Sequence, residues 1–280
     1  MLSEKQEQLI TLNNKKMTAR VKPCGFSLGE VMQILKFILD FIFPQRCVFC
    51  DRITPHGRCE EICAECANKI VLCENETCCA VCGKPQVSVG EKRMCFPCLS
   101  KTHRSYKRAI AVVKYDKLVS EGIKRFKDGC NENAGNVMAK AMAERTKIEY
   151  AGMMPDVIVE VAPDDKRNYK RGYSPVSSIC KKLSKYMNIP YESGVLLKIK
   201  NTPKQSSLNY EQRIRNLIGA IGISKKADVE GKRVLLVDDV MTTGSTVEEC
   251  AYVLKKAGAK AVFIVTYATT VKEPKTYKNK

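Results

Sequence analysis

Asp238 and Asp239 are adjacent, and shortly after them come Thr242, Thr243, Gly244, Ser245 and Thr246, four hydroxyls around one glycine. Such a loop suits an anion. Gly244 lets the backbone approach a ligand, the hydroxyls donate, and a helix starting there adds free N–H groups and the positive end of its dipole. A phosphate fits that loop, but the two carboxylates would repel it. They suit sugar hydroxyls or a hydrated magnesium ion, which takes oxygen ligands. The stretch therefore predicts a phosphorylated sugar as ligand. A second chemistry belongs to cysteine: Cys47/Cys50, Cys63/Cys66, Cys79/Cys82 and Cys95/Cys98 form four C-x-x-C knuckles. Zinc takes four sulfurs at tetrahedral corners, two from each knuckle. Two structural zinc ions are predicted, with no obvious open position for catalysis. Pairing of successive knuckles is the simplest arrangement, and an interleaved one satisfies the same chemistry.

The acidic pair needs a rigid base. Val234, Leu235, Leu236 and Val237 form a continuous apolar run, the pattern of a parallel strand buried on both faces, which the carboxylates are expected to end. The helix after the loop should run to about Ala257 and close at Gly258. Upstream, strand patterns at 109–113, 156–161 and 194–199 alternate with helical ones at 118–126, 134–145, 177–186 and 210–218, and a last strand covers 261–267. This alternation predicts an α/β fold with a mainly parallel sheet covered on both faces, where ligands bind beyond the carboxyl ends of the strands. Two basic segments fall at that rim. Pro163 to Tyr173 reads as a glycine-containing loop with Lys166, Arg167, Lys170 and Arg171, of which Arg171, before Gly172, best suits anion capture. The other spans 198–215 and carries Lys198, Lys200, Lys204, Gln205, Arg213 and Arg215.

The cysteine region repeats. Twelve residues separate the knuckles within each half and the second half follows the first by 32, so residues 47–66 and 79–98 read as a duplicated zinc ribbon. Few large apolar residues are present, so metal would supply much of the folding free energy, about 10–16 kcal/mol per site. Cys59, Cys73 and Cys78 are left over and read as unliganded thiols, with Cys78, beside Cys79, the alternative ligand. The two histidines, His56 and His103, read as ordinary polar residues.

The chain has 280 residues, enough for one large or two small domains, and its 48 Lys plus Arg against 30 Asp plus Glu give a net charge of +18. Eight zinc-bound thiolates and two zinc ions would bring that to about +14. Such an excess favours polyanionic partners: nucleic acid, nucleotides or acidic membrane. Twelve of the fifteen cysteines lie between residues 24 and 98, many in C-x-x-C pairs, without a cleavable signal peptide before them. That pattern indicates reduced, metal-bound thiols and a cytoplasmic location. Residues 1–25 read as a disordered extension and 26–44 as an amphipathic helix, with Glu30, Gln33, Lys36 and Asp40 along one face and Val31, Leu35, Ile38, Leu39 and Ile42 largely opposite. A membrane-spanning helix rarely carries such a stripe, so no transmembrane segment is expected. The helix either packs on protein or lies at a membrane surface, which would make the chain peripheral at the inner membrane face. Residues 45–104 then hold the double zinc ribbon, 105–270 the α/β domain and 271–280 a basic tail.

The stretch VLLVDDVMTTGST resembles the phosphoribosyl pyrophosphate (PRPP) motif of type I phosphoribosyltransferases. By that resemblance Asp238 and Asp239 would hold the ribose 2′- and 3′-hydroxyls, and Thr242 to Thr246 would cradle the 5′-phosphate. The wider order of FPQRC with its knuckles, RFKDG, VAPDDKRNYKRGYSPV, TPKQSSL, RIRN and the PRPP motif resembles the ComF family, which is associated with DNA uptake in natural competence. The resemblance implies a type I phosphoribosyltransferase fold behind a double zinc ribbon. It also implies PRPP binding with Mg2+ at Asp238 and Asp239 through water, Arg171 facing the pyrophosphate, and Gln205, Arg213 and Asn216 in a hood over the site. Tyr173 matches the aromatic residue usual there, whereas Ser174 and Pro175 stand where the family usually has Asn and Gln, whose amide contacts are therefore not expected. Thr242 stands where the hypoxanthine-guanine type usually has an aspartate that helps the base react, which argues against that chemistry. Two functional classes follow. One is a competence-associated protein that binds a PRPP-like ligand and single-stranded DNA, with Tyr169, Tyr173 and Tyr210 available to stack on bases and a DNA-uptake helicase or translocase as partner. The other is a working phosphoribosyltransferase on an unidentified acceptor. A PRPP-sensing regulator is a third reading, and no helix-turn-helix pattern supports it.

Overall fold

The computed structural model describes residues 44–54, 61–74, 77–86, 93–100, 104–129, 132–200 and 219–271, together with 32, 35, 38 and 39. In it the apolar runs become strands: β1 (Arg108–Lys114), β2 (Val157–Glu160), β3 (Tyr191–Glu192), β4 (Leu196–Lys198), β5 (Ile221–Ile223), β6 (Arg233–Met241) and β7 (Ala261–Thr269). The helices are α1 (Ala64–Lys69), α2 (Phe96–Leu99), α3 (Lys117–Gly129), α4 (Glu132–Glu149), α5 (Asp165–Arg171), α6 (Pro175–Met187) and α7 (Ser245–Lys256). Five strands form a parallel sheet in the order β1-β7-β6-β2-β3, as the alternation of elements predicts. The strand expected at 194–199 lies outside that sheet. Its residues form β4, which pairs antiparallel with β5.

Both faces of the sheet are covered because β6 is apolar on both. Leu235 and Val237 face a core with Phe126 of α3, Met138 and Met142 of α4, and Ile179 and Leu183 of α6. Val234 and Leu236 face the opposite core, with Val247, Cys250 and Leu254 of α7 and Leu196 and Ile221 of the β4–β5 pair. From β2 the chain passes through α6 to β3 at one edge, whereas from β6 it passes through α7 to β7 on the other side. The connections diverge between β2 and β6. A crevice therefore opens at the carboxyl ends of those strands, where open parallel sheets bind ligands.

Two local expectations are corrected. β6 does not end at the carboxylates but runs on to Met241, because β7 continues alongside it and pairs Asp238 with Thr266, Val240 with Ala268 and Met241 with Thr269. The basic segment after β2 is not a loop: Asp164 accepts from the Arg167 amide and starts α5, and Gly172, at φ 75°, ends it in the left-handed conformation. The helix expected at 210–218 lies outside the described residues. Residues 32, 35, 38 and 39 are helical, and among the described residues no helix is long and apolar enough to cross a membrane.

From Gln45 onward the described chain forms one compact unit, so the cysteine region packs directly on the sheet domain. The first ribbon joins the α3 side, where the Phe49 ring lies so close to Gly122 that a Cβ there would come within 2.5 Å of it. Arg125 of α3 donates to the Phe49 carbonyl. Between and within the ribbons, Val71, Cys73 and Val81 bond main chain to main chain with Lys114, Val112 and Ala109, at 2.8, 2.9 and 2.8 Å. These contacts cap the outer edge of β1, which would otherwise present unpaired N–H and C=O groups.

Candidate functional site

Asp239 lies at the carboxyl end of β6, only 6% exposed, and Lys127 near the end of α3 pairs with it, Nζ to Oδ2, at 2.5 Å. Burial, the largest single influence, would lower the lysine, but the charge and hydrogen bond of Asp239 together with the charge of Asp238 outweigh it and hold the ammonium above its ordinary value. On the neighbouring residue, burial pushes the Asp238 carboxyl up to about 8, and the Asp239 charge pushes the same way against the pull of Lys127. The main chain joins the pair as well, since the Asp239 amide donates to Asp238 Oδ1 at 2.8 Å. Two adjacent carboxylates are costly to ionise together, so Lys127 acts as their counter-charge.

A cavity of about 170 Å3 opens over this pair, lined among others by Lys127, Glu160, Arg167, Arg171, Asp238 and Asp239. Arg171, at the end of α5, has one guanidinium nitrogen 4.0 Å from Asp128 Oδ1 and is 30% exposed, so its charge is available to an anion in the cavity. Glu160 ends β2 and is buried. It accepts from Ser177 Oγ at 2.5 Å and Tyr191 Oη at 2.7 Å, which fixes it as part of the wall.

The hydroxyl loop follows β6 directly. It does not line that cavity but continues from it, and Gly244, at φ 85°, is the N-cap of α7. Thr243 Oγ1 lies 2.9 Å from Ser245 Oγ and accepts from the Ser245 amide at 3.3 Å, and Thr270 Oγ1 donates to the Thr242 carbonyl at 3.3 Å. The first amides of α7 thus open beside a row of hydroxyls, a layout that receives phosphate.

The cysteines resolve into two separate groups, Cys47, Cys50, Cys63 and Cys66 in one and Cys79, Cys82, Cys95 and Cys98 in the other, with all sulfurs of a group within 4.8 Å of one another. The pairing is therefore sequential. In each group one cross-knuckle pair of sulfurs, Cys50 with Cys63 and Cys82 with Cys95, lies 3.7 Å apart. A tetrahedron with metal–sulfur bonds of about 2.3 Å has edges of about 3.8 Å, so both groups fit zinc. Amides of Cys63 and Cys95 point at Cys47 Sγ and Cys79 Sγ at 3.4 and 3.3 Å, as thiolates require. Cys78 is not in the second group. It lies with Cys73 against Ala111 in a small buried cluster of its own.

Residues 38–99 match the double zinc ribbon domain and residues 169–280 the phosphoribosyl transferase domain. The DNA utilization protein YhgH of Escherichia coli (strain K12) is 30% identical over 195 residues, which cover 67% of this chain and 82% of that protein. Competence protein F of Haemophilus influenzae is 27% identical over 224 residues, 79% of this chain and 95% of that one. This chain belongs to the ComF family. The double zinc ribbon and phosphoribosyltransferase domain of a ComF protein are thus both present here, in the expected order.

In this ComF protein the fold brings Asp238, Asp239 and Arg171 to one cavity and places Thr242, Thr243, Gly244, Ser245 and Thr246 next to it. Gln205, Arg213, Asn216 and Tyr210 lie outside the described residues. Tyr169 is 90% exposed, whereas Tyr173 packs edge-on against Phe126 and donates to its carbonyl, so Tyr173 is not offered to a base. Sequence reasoning missed Lys127 and Glu160. A glutamate inside the apolar run Val157–Val161 was a visible signal for Glu160, since a lone charge in a buried strand needs partners. Lys127 lies inside the RFKDG stretch that carries the family resemblance, but nothing in that stretch pointed to a role for it at the acidic pair.

Proposed function

We propose that this ComF protein binds PRPP, or a closely related ribose phosphate, with magnesium at the crevice between β2 and β6, in the service of DNA uptake. One observation carries this reading: β6 delivers Asp238 and Asp239 to a cavity shared with Arg171, and the chain then turns straight into the Gly244-capped start of α7. In this reading Thr242, Thr243, Gly244, Ser245 and Thr246 hold the 5′-phosphate, Asp238 and Asp239 take the ribose hydroxyls, and Arg171 faces the pyrophosphate. Gln205, Arg213 and Asn216 belong to the hood. Magnesium, which keeps several waters, would be held by the two carboxylates through those waters and would offset charge on the pyrophosphate. The names of the relatives, DNA utilization protein and competence protein, support a role with DNA. Single-stranded DNA and a DNA-uptake helicase or translocase are the partners in this reading. The net charge of +18, with exposed Tyr169 among Lys166, Arg167 and Lys170 on α5, favours contact with a single strand through phosphates and stacking.

The deciding experiment is calorimetric titration of PRPP in magnesium with wild type and the double variant Asp238→Asn, Asp239→Asn. The wild type should bind and the folded variant should lose most of the affinity. Equal binding by both, or binding by neither, would overturn the ribose-phosphate reading. Pyrophosphate release that depends on one added base or amine would instead establish a phosphoribosyltransferase. For the DNA role, affinity for single-stranded DNA should fall steeply with salt, with a log–log slope of about 0.7 per phosphate neutralised. Binding that ignores salt would remove the electrostatic basis.

A further inference from the structure

The hydroxyl loop is held from outside the sheet domain. Lys84, next to Gly83 in the second ribbon, is only 6% exposed, and its ammonium donates to the carbonyl of Thr242, the first residue of the loop. A lysine so buried needs polar partners, and the Thr242 carbonyl is one of them. Its backbone is just as confined. Gly83, at φ 65°, presses on β1 so closely that a Cβ would come within 2.6 Å of the Ala109 carbonyl oxygen. The Gly83 amide donates to Cys79 O at 2.8 Å and the Cys79 amide to Lys84 O at 2.9 Å, which folds Lys84 into the knuckle that carries Cys79 and Cys82.

A second contact grips the other flank of the loop. Glu248, in the first turn of α7, accepts from the Ser105 amide at 3.0 Å and from Arg104 at 3.2 Å. The same Arg104 donates to Cys98 Sγ at 3.2 Å. The second sulfur group therefore reaches the loop at its entry, through Lys84 and Thr242, and at its exit, through Arg104 and Glu248. The first ribbon docks elsewhere, with Phe49 against Gly122 and Arg125 of α3.

We propose that Lys84 is a positioning residue for the phosphate loop, through which the second zinc ribbon sets the geometry that receives the 5′-phosphate of a ribose phosphate. The inference rests on the ribose-phosphate reading for its ligand, but not for its structural content. No cysteine lines the cavity or lies in the loop, yet an intact second zinc group becomes a condition for tight phosphate binding.

Lys84→Met in the full zinc-loaded chain tests it, since methionine keeps most of the apolar stem and removes the donor. Three quantities are measured on wild type and variant: affinity for ribose 5-phosphate, affinity for magnesium pyrophosphate, and hydrogen exchange of the amides from Thr242 to Thr246. With zinc content and fold retained, ribose 5-phosphate should bind more weakly, by up to about tenfold, since re-ordering the loop on binding can cost at most what one charge-assisted hydrogen bond contributes. Loop exchange should rise while magnesium pyrophosphate binds as before. Lys84→Arg, which keeps a donor, should recover part of the loss. Unchanged loop exchange in Lys84→Met, or equal weakening of both ligands with faster exchange throughout, would overturn the proposal. If wild type binds no ribose 5-phosphate the ligand reading fails, and the positioning role is then decided by loop exchange alone.

Discussion

The contact of Lys127 with Asp239 is the residue-scale feature with most consequence for the site. Removing one member of a buried ion pair leaves the other charge uncompensated, a larger loss than the net worth of the pair. Lys127→Met should therefore destabilise the free protein by about 1–3 kcal/mol, less than a fully buried pair would cost because the lysine is partly wet. Magnesium should restore part of that loss, since a divalent cation can take over the role of counter-charge to Asp238 and Asp239. Urea unfolding with and without magnesium checks this. A variant as stable as wild type, or one indifferent to magnesium, would show that Lys127 does not balance the acidic pair.

At the scale of elements, the site depends on the register of β2 and β6, which Asp156 and Arg233 tie together at the amino ends of those strands. Asp156 Oδ2 accepts from the Arg233 amide at 2.8 Å and from Nε at 3.1 Å, and Oδ1 accepts from a terminal guanidinium nitrogen at 2.6 Å. These hydrogen bonds hold the Asp156 carboxyl down at about 2. A carboxylate depressed on folding contributes its stability above its unfolded pKa of about 3.9, and that contribution is lost as pH falls towards 2. Asp156→Asn should thus be less stable than wild type at about pH 5, with the two curves converging near pH 2. Parallel acid-unfolding curves would mean the pair carries no such linkage.

For the molecule as a whole, zinc and sheet are one problem. The second ribbon has only a small core of its own, the first buries Cys47, Val48 and Phe49 in the core on the α3 side of the sheet, and main-chain bonds from Val71, Cys73 and Val81 cap the open edge of β1. Metal analysis of the purified protein should find two zinc ions per chain. Strong chelation under reducing conditions should unfold the ribbons and uncover that edge, so light scattering should report association of the chelated protein. A zinc content near zero, or a chelated chain that stays monodisperse with its ribbons folded, would rule out structural zinc as the support of β1.

What the sequence determined by itself was whatever depends on near neighbours along the chain. The spacing of the knuckles predicts metal groups because each C-x-x-C turn is local, and the run from Val234 to Val237 predicts a buried strand because period and length need no partner to be read. Gly244 and Gly258, both at positive φ, mark the ends of α7 for the same reason. Tertiary structure decided what depends on segments that meet from afar. Sequential pairing of the knuckles, the extension of β6 through Asp238 to Met241 alongside β7, and the helical form of the basic segment after β2 were open or misread at the level of local pattern. Lys127 and Lys84 enter the site from α3 and from the second ribbon, far away in sequence, because packing brings their long side chains to oxygens that only the folded chain assembles.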